Sequence, residues 1–345
     1  MRRIDITASS GAPVIAIAES LSRLPEYVGA AKGVIVTDRV VRRLHGKAFP
    51  QWEVIEIGAG EGSKTLGAVA GIYKEFLRHG VDRVTCVVAI GGGIVCDVAG
   101  FAASTYLRGL RFGFAPTTLL AQVDASVGGK NGVNLDGYKN LIGTFTQPAF
   151  VLCDLDLLGT LPERELQNGF AEVVKQAAVG DENLFSFLEA HREKALRLDR
   201  DVIGHIVHGC LTVKGAIVSR DERESGVRRT LNFGHTIGHA VEKAYHVDHG
   251  RAIGLGMVAA SKLSVAKGLL SQDDAARIEA LLSSFGLPVA MEMDSRALGD
   301  ALEKDKKREG GLIHFVLLEG IGRARVVPIA LDALREVIDD LCQPR

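Results

Sequence analysis

The chain has 345 residues, of which 47% are hydrophobic, enough for a large core and for about two domains of ordinary size. Its formal net charge of −1 gives no indication of binding to nucleic acid or to an anionic membrane. There is no long apolar run typical of a signal peptide or a membrane span, and the five scattered cysteines form no Cys-x-x-Cys pair. The sequence therefore predicts a cytoplasmic protein with no nucleic acid and no membrane partner.

The first part of the chain alternates short apolar runs with amphipathic stretches. Ser63 is predicted to cap a helix that ends near His79. The run VTCVVAI at 84–90 is almost wholly apolar, as expected for a parallel strand buried on both faces. The predicted strands are 33–37, 52–57, 84–90, 111–115 and 150–153. Their alternation with helices predicts an N-terminal Rossmann-like parallel α/β domain, residues 1–158.

The second part, residues 159–345, carries mostly helical periodicity. Helices are predicted at 162–178, 183–198, 202–219, 231–245, 252–269 and 273–284. A hairpin-like pair at 313–318 and 324–328 precedes a final helix near 331–341. This pattern predicts a mostly helical domain packed on the first, and the cleft between them is the expected place for a ligand.

A triple-glycine turn, Gly91-Gly92-Gly93, follows the predicted strand 84–90 and opens a helix that carries Asp97. Glycines let a phosphate approach the backbone, and a helix N-terminus offers free amide N–H groups. Turn geometry alone also explains such glycines. Glu61 and Lys64 lie in a comparable loop, where they could reach a ribose or pyrophosphate or simply be solvated.

Two histidines, His235 and His239, stand four residues apart on one predicted helix face. His249 and Glu172 supply a further imidazole and a carboxylate. Two histidines and one glutamate, with a coordination position left open, are a ligand set of catalytic zinc. The alternative is a pair of helix-face histidines that only make local hydrogen bonds.

Several cations lie in apolar, glycine-rich surroundings that do not resemble a solvated charge run. They are Arg108, Lys130, Lys139, Lys175, Lys214, Arg228 and Lys306. Lysine between glycines is typical of a point charge that binds phosphate or carboxylate. Any single one could equally be an exposed loop lysine.

Together these segments resemble the 3-dehydroquinate synthase family from about Glu61 to Arg325. The stretches that carry the resemblance are GGGIVCDVAGFAASTYLRG, PTTLLAQVDASVGGKNGVN, YKNLIGTF, LPERELQNGFAEVVK, DERESGVRRTLNFGHTIGHAVE and HGRAIGLGM.

The resemblance implies two cofactors. A zinc or cobalt ion would be held by Glu172, His235 and His249. NAD would be held by Asp38, Glu61, Lys64, Gly92, Gly93, Asp97, Thr117, Thr118, Asp124, Lys130 and Lys139.

The resemblance also implies a sugar phosphate substrate. Its phosphate would be bound mainly by Lys130, Lys139, Asn140, Asn232, His239 and Lys306, with Lys307 as the rival of Lys306. Its carboxylate and hydroxyls would face Lys175, Lys214, Glu224 and Arg228. Arg108 would reach the phosphate pocket of a neighbouring subunit, which implies a homodimer.

Three residues depart from the family pattern. Tyr138 replaces a glycine, Asn131 replaces a small or hydroxyl residue, and Arg251 replaces the glutamate that normally follows His-Gly. The last reverses a charge beside a predicted metal ligand, where neighbouring groups tune the site.

The resemblance implies a lyase that converts 3-deoxy-D-arabino-heptulosonate 7-phosphate to 3-dehydroquinate and phosphate, in the shikimate pathway of chorismate and aromatic amino acid biosynthesis. One alternative is a sister sugar phosphate cyclase of the 2-deoxy-scyllo-inosose or epi-valiolone type. Lys214 and Arg228, as carboxylate binders, favour the acid substrate. Two further candidates are a metal-dependent polyol dehydrogenase and a catalytically inactive NAD-binding regulator.

Overall fold

We describe a computed structural model of the chain over residues 2–5, 11–306 and 313–329. These residues form two compact units. The first unit comprises the described residues up to Leu166 together with Ile203–Arg223, and the second comprises Gln167–Val202 and the described residues from Glu224 onward. The assignment of a cofactor role to residues 1–158 and a metal and substrate role to residues 159–345 stays a prediction.

The first unit is built on a mainly parallel sheet. Its strands and those of a separate hairpin are, in chain order, β1 (Arg2–Asp5), β2 (Val14–Ile17), β3 (Gly33–Asp38), β4 (Glu53–Ile57), β5 (Cys86–Gly91), β6 (Arg111–Pro116), β7 (Lys130–Leu135), β8 (Tyr138–Phe145) and β9 (Phe150–Cys153). The seven-stranded sheet has the order β1-β2-β9-β6-β5-β3-β4, and only β1 is antiparallel to its neighbour. The predicted parallel α/β architecture is therefore confirmed.

Helices cover this sheet and make up most of the second unit. They are α1 (Leu24–Val28), α2 (Arg39–His45), α3 (Leu66–Arg78), α4 (Gly93–Thr105), α5 (Glu163–Gly180), α6 (Glu182–Leu196), α7 (Arg200–Arg220), α8 (His235–Tyr245), α9 (His249–Ala266), α10 (Gln272–Ser284) and α11 (Ser295–Lys306). The second unit also contains the antiparallel pair β10 (Ile313–Gly320) and β11 (Arg323–Ile329), which confirms the predicted hairpin. The predicted helix at 331–341 lies outside the described residues.

Two predicted helix starts are wrong. The N-cap of α3 is Thr65, whose hydroxyl accepts from the Ala68 amide, whereas Ser63 lies in a preceding 3₁₀ turn. The helix predicted from residue 231 begins only at His235, because Gly234 has a left-handed backbone with φ +79° that ends the preceding 3₁₀ turn and redirects the chain.

The core of the first unit lies at the centre of its sheet. Every residue of β5 is buried, as the apolar run predicts. On the neighbouring strands, Phe150 packs over Gly113, where a Cβ atom would lie 2.3 Å from the phenyl ring. Large and small residues therefore interlock between β6 and the start of β9.

One described helix, α7, is long and apolar enough to cross a bilayer by length and composition alone. Of its most apolar window, 61% is buried inside the protein, as in a core helix.

Candidate active site

The predicted cofactor residues of the first unit gather at one edge of the sheet. Strands β6, β5 and β3 are neighbours and run parallel, so their carboxyl ends meet at the same edge. Gly92 and Gly93 follow β5, and Thr117 and Thr118 follow β6. The Thr117 amide donates to the Gly91 carbonyl over 2.9 Å, which ties the two turns together. Ligands of open α/β sheets bind at this edge.

The glycines of this turn are needed for close packing. A Cβ on Gly91 would lie 2.5 Å from Val95, and one on Gly93 would lie 3.2 Å from Ala125. Gly92 is the N-cap of α4 and carries no side chain that could occupy the amides of its first turn. Asp38, at the end of β3, instead accepts from the amides of Val40 and Val41 and so caps α2.

A buried lysine connects this edge to the β7–β8 hairpin. The Lys64 ammonium group pairs with Asp97 Oδ2 at 2.5 Å and donates to Asn140 Oδ1. The backbone N–H of Asn140 donates to Asn134 Oδ1 over 2.8 Å, and Nδ2 of Asn134 donates to Glu61 Oε1 over 2.7 Å. Four residues predicted to bind cofactor or substrate are thus brought into one network with Asn134.

Burial of Asp97 raises the pKa of its carboxyl, although the neighbouring Lys64 cation opposes this effect. The cation that most favours the charged form of Asp97 is therefore the same one that binds Asn140. A ligand that displaced either contact of Lys64 would change the electrostatics of the whole edge.

The two hairpin lysines stand at opposite ends of the β7–β8 ladder. Lys130 pairs in register with Phe145, whereas Lys139 follows Tyr138 at the turn end, where Leu135 pairs with Tyr138. Both lysines are exposed. The four residue steps from Lys130 to Asn134 correspond to roughly 13 Å along a strand.

Lys214 on α7 contacts Asp124, another predicted cofactor residue. Its ammonium group donates to the Asp124 carbonyl over 2.5 Å and pairs with Oδ1 at 2.9 Å. Asp124 lies in a short π-helical segment, Ala121–Ala125. Such segments occur frequently at functional sites.

Arg108 lies just beyond α4 with an unusual backbone. Leu107 and Arg108 have φ values of +50° and +68°, in the left-handed region that side chains other than glycine rarely adopt. Both side chains are exposed. The chain thus presents Arg108 at a strained corner of the surface.

In the second unit three helices bring the predicted metal ligands together. Glu172 lies on α5, His235 begins α8 and His249 begins α9. Helices α8 and α9 approach very closely, since a Cβ on Gly256 would lie 1.9 Å from the Gly234 carbonyl oxygen. Glycines in the NFGHTIGH and AIGLGM stretches therefore set the separation of the two histidines.

The three donor groups fit a single metal ion. Glu172 Oε1 lies 3.3 Å from His249 Nε2 and 3.7 Å from His235 Nε2, and the three ligand atoms lie within 4.8 Å of one another. A tetrahedral zinc ion with bonds of about 2.05 Å separates its donor atoms by roughly 3.3 Å. Three protein ligands are typical of a catalytic ion, which keeps a position for water or substrate.

The titratable groups of this cluster shift one another's pKa values. Burial, together with the Lys175 cation, lowers the pKa of His235 to about 3, so its imidazole is neutral. Burial also opposes protonation of His249, but contacts with Glu172 and Glu242 outweigh it and raise the pKa to about 9. Glu172 is buried, yet its ion pair with Lys175 and its contacts with both histidines hold its pKa well below the usual range.

Among the predicted substrate residues of the second unit, His239 lies beside a predicted metal ligand. The His239 ring lies 5.1 Å from that of His235, which confirms that the two share a helix face. Asn232 donates to Glu224 Oε1 over 2.6 Å, and Arg228 is buried. The side chain of Lys306, and all of Lys307, lie outside the described part of the chain.

The sequence interpretation missed three residues, of which two contact predicted site residues and one contacts the backbone next to His249. Asn134 joins the Lys64 network, Glu242 contacts His249, and Asn168 accepts the Gly250 amide over 2.9 Å. Asn168 precedes Glu172 by one helical turn, and Glu242 follows His235 by two, so helical spacing from the predicted ligands was the available signal.

Comparison with known families gives two matches that adjoin along the chain. Residues 54–168 match the family model described as 3-dehydroquinate synthase N-terminal, and residues 169–308 match that described as 3-dehydroquinate synthase C-terminal. The 3-dehydroquinate synthase of Geobacter metallireducens is 47% identical over 83% of this chain and 80% of its own. That of Desulforamulus reducens is 40% identical over 91% of this chain and 92% of its own.

Solved structures of sugar phosphate cyclases are also similar to this chain, at lower sequence identity. A 2-deoxy-scyllo-inosose synthase, in complex with carbaglucose-6-phosphate, NAD+ and Co2+, has a TM-score of 0.87 and 27% identity, covering 98% of this chain and 100% of its own. The 2-epi-5-epi-valiolone synthase of Streptomyces hygroscopicus, with NAD+ and Zn2+ bound, has a TM-score of 0.88 and 28% identity, covering 97% and 98%.

Proposed function

This chain belongs to the 3-dehydroquinate synthase family, and we propose that it converts 3-deoxy-D-arabino-heptulosonate 7-phosphate to 3-dehydroquinate and phosphate. The enzyme is then a carbon–oxygen lyase of the shikimate pathway. The observation that carries the proposal is the meeting of Glu172, His235 and His249, from three helices, at donor distances of 3.3 and 3.7 Å. The family match indicates which reaction a metal ion in this cluster would serve.

The cofactors of the proposed reaction are NAD and a zinc or cobalt ion, as in the two structural neighbours. When bound, NAD+ would take and return a hydride while the ion polarises the reacting hydroxyl as a Lewis acid. Glu172, His235 and His249 hold the ion, and Lys175 keeps the buried Glu172 ionised. The residues around the carboxyl ends of β3, β5 and β6, with Glu61, Lys64, Asp97 and Asp124, bind NAD.

The charged and polar residues predicted for the substrate site support a phosphorylated acid as the substrate. Lys130, Lys139, Asn140, Asn232, His239 and Lys306 serve its phosphate, and Lys175, Lys214, Glu224 and Arg228 serve its carboxylate and hydroxyls. A substrate phosphate bound by these side chains would accept the proton whose loss starts its own elimination.

We also infer a homodimer and a cytoplasmic location. The exposed Arg108, at its left-handed corner, would complete the phosphate site of the second subunit. Cys86, Cys96 and Cys153 are buried thiols rather than disulfides, as expected in a reducing compartment.

A sister cyclase is the second candidate, because both structural neighbours belong to that class. Their identities of 27% and 28% fall well below the 47% of the Geobacter 3-dehydroquinate synthase. The buried cations Lys214 and Arg228, predicted to face the substrate's carboxylate, also support an acid as the substrate.

The test is phosphate release by pure protein supplied with NAD+ and zinc. We expect release from the heptulosonate phosphate and none from glucose 6-phosphate or sedoheptulose 7-phosphate. Removal of the metal with a chelator should abolish release, and zinc or cobalt should restore it. Turnover of either of the other sugars would assign the protein to a sister cyclase, and full activity in verified metal-free protein would contradict the metal site.

A further inference from the structure

The two ligand histidines differ in what contacts their second ring nitrogen. His235 Nδ1 lies 3.2 Å from the backbone carbonyl of Phe233, which precedes it by two residues. His249 Nδ1 lies 3.6 Å from Oε2 of Glu242. Each imidazole therefore directs Nε2 toward Glu172 and Nδ1 toward an oxygen, but only His249 has a carboxylate there.

Glu242 is well placed for this contact. It lies on α8 seven residues after His235 and three after His239, so it shares their helix face and points with them toward the start of α9. Its side chain is only 18% exposed, which distinguishes it from a solvated surface glutamate.

The backbone of His249 is fixed separately. Asp248, the N-cap of α9, makes no side-chain cap bond, and Asn168 of α5 instead accepts from the Gly250 amide over 2.9 Å. Gly250 packs against Asn168 so closely that a Cβ would lie 2.6 Å from its Cα. These contacts place the start of α9 beside Glu172 but leave rotation of the His249 ring about its own side-chain bonds undetermined.

We propose that Glu242 is a positioning residue for the metal site, which fixes the ring orientation and tautomer of His249 so that Nε2 faces the ion. This inference depends on the proposed metal site. A carboxylate that accepts the Nδ1–H of a ligand histidine holds the imidazole in the binding tautomer and makes its other nitrogen a stronger donor. Glu242 thereby links α8, which supplies His235, to the ligand supplied by α9.

The test compares Glu242→Ala and Glu242→Gln with Glu189→Gln in the full-length protein. Glu189 is the matched control, because it belongs to the same unit and pairs with Arg277 at 2.7 Å rather than with a metal ligand. Zinc affinity is measured by competition with a chromophoric chelator, and the visible absorption of the cobalt-loaded protein reports ligand geometry. Thermal unfolding of each metal-free protein checks the fold.

We expect Glu242→Ala to bind zinc about 10- to 100-fold more weakly than wild type, with an altered cobalt spectrum. Glu242→Gln should lose less affinity, since its amide oxygen still accepts a hydrogen bond but carries no charge. The Glu189→Gln protein should bind zinc as wild type does.

Unchanged zinc affinity and an unchanged cobalt spectrum in Glu242→Ala would overturn the positioning role and leave the proposed function intact. If the alanine variant does not fold, the zinc affinity and cobalt spectrum of the near-isosteric glutamine variant test the positioning role instead. Failure of the wild-type protein to bind zinc or cobalt is a different result, because it would overturn the metal site together with the role of Glu242.

Discussion

Asn131, predicted to depart from the family pattern, is packed and hydrogen-bonded within the fold. Its side-chain amide donates to the carbonyls of Gly129 and Thr146, one from each side of the β7–β8 hairpin. Its Oδ1 lies over Gly100 of α4, where a Cβ atom would be only 2.1 Å away. Asn131 is buried. The departure is thus accommodated by packing against Gly100, and it leaves the neighbouring Lys130 exposed.

Gly100→Ala should therefore destabilise the protein by about 1–3 kcal/mol, because the new methyl group overpacks the helix against Asn131. In an Asn131→Ser background the same substitution should cost less, since the shorter side chain gives way. Chemical denaturation of the four proteins of this double-mutant cycle measures the coupling. Strictly additive effects of the two substitutions would contradict the proposed contact.

Arg251 is exposed in the first turn of α9, two residues after His249. Positive charge is unfavourable at a helix N-terminus, where an acidic residue contributes about 0.3–1 kcal/mol. Arg251→Glu should therefore raise the unfolding midpoint slightly and leave phosphate release equal or faster. Arg251→Gln, measured beside it, separates loss of the cation from gain of the anion. A collapse of activity in both variants would give Arg251 a role of its own and reopen the substrate assignment.

At the scale of elements, apolar periodicity predicted most helices and strands. It failed where the backbone conformation of glycines, rather than the pattern of side chains, sets the structure. The run at 84–90 predicted the buried strand β5, and the helices of the second unit were predicted to within a few residues of their bounds, apart from α8 and the unpredicted α11. The β7–β8 hairpin was missed, because its paired glycines carry no alternating pattern. Gly132 and Gly143 face each other so closely that a Cβ on Gly132 would lie 2.5 Å from the Ile142 carbonyl.

In the candidate site, too, the sequence predicted contacts within one element but not contacts between elements. The i, i+4 spacing predicted that His235 and His239 share a face, and their rings lie 5.1 Å apart. Spacing could not show that Glu172 and His249, which are distant along the chain, meet His235. The sequence offered them as candidate ligands, and the family resemblance implied the full set. Glu242 was missed, because a glutamate followed by lysine in an amphipathic helix resembles a solvated face.

The close approach of α8 and α9 gives a prediction with an internal control. Gly256→Ala would place a methyl group 1.9 Å from the Gly234 carbonyl, so it should destabilise the protein by at least about 1–3 kcal/mol and weaken zinc binding by displacing His235. Gly254→Ala, on the same helix, meets Leu287 only at 3.6 Å and should be neutral or stabilising by up to about 1 kcal/mol. Denaturation and zinc competition measure both effects, and equal behaviour of the two variants would contradict the close approach.

At the scale of the whole molecule, the proposed homodimer predicts that active sites are shared. Arg108→Ala and Lys130→Ala subunits should each lose most of their activity, because both lack a cation of the phosphate site. After subunit exchange, mixed dimers should recover part of the activity, since one of their two sites then has both wild-type residues. The readout is phosphate release by mixed dimers verified with two different affinity tags. Absence of recovery in verified mixed dimers would contradict the action of Arg108 on a second subunit.

The redox balance of a whole turnover distinguishes the proposed cyclase from a dehydrogenase with the same cofactor edge and metal cluster. In the proposed reaction a hydride is taken from the substrate and returned to it, so NAD+ is needed only in catalytic amounts. We therefore expect many phosphates released per NAD+ from the heptulosonate phosphate, with no lasting rise of NADH absorbance. A polyol dehydrogenase would form one NADH per turnover and release no phosphate. The residues of the predicted substrate phosphate site distinguish the two reactions independently, because Lys130, Lys139 and Asn140 have a substrate phosphate to bind only in the cyclase. Lys130→Ala should accordingly lower kcat/KM for phosphate release by about 10- to 100-fold, the equivalent of a charged hydrogen bond of roughly 1.5–3 kcal/mol. Stoichiometric NADH formation, or an unimpaired Lys130→Ala enzyme, would exclude the cyclase reaction.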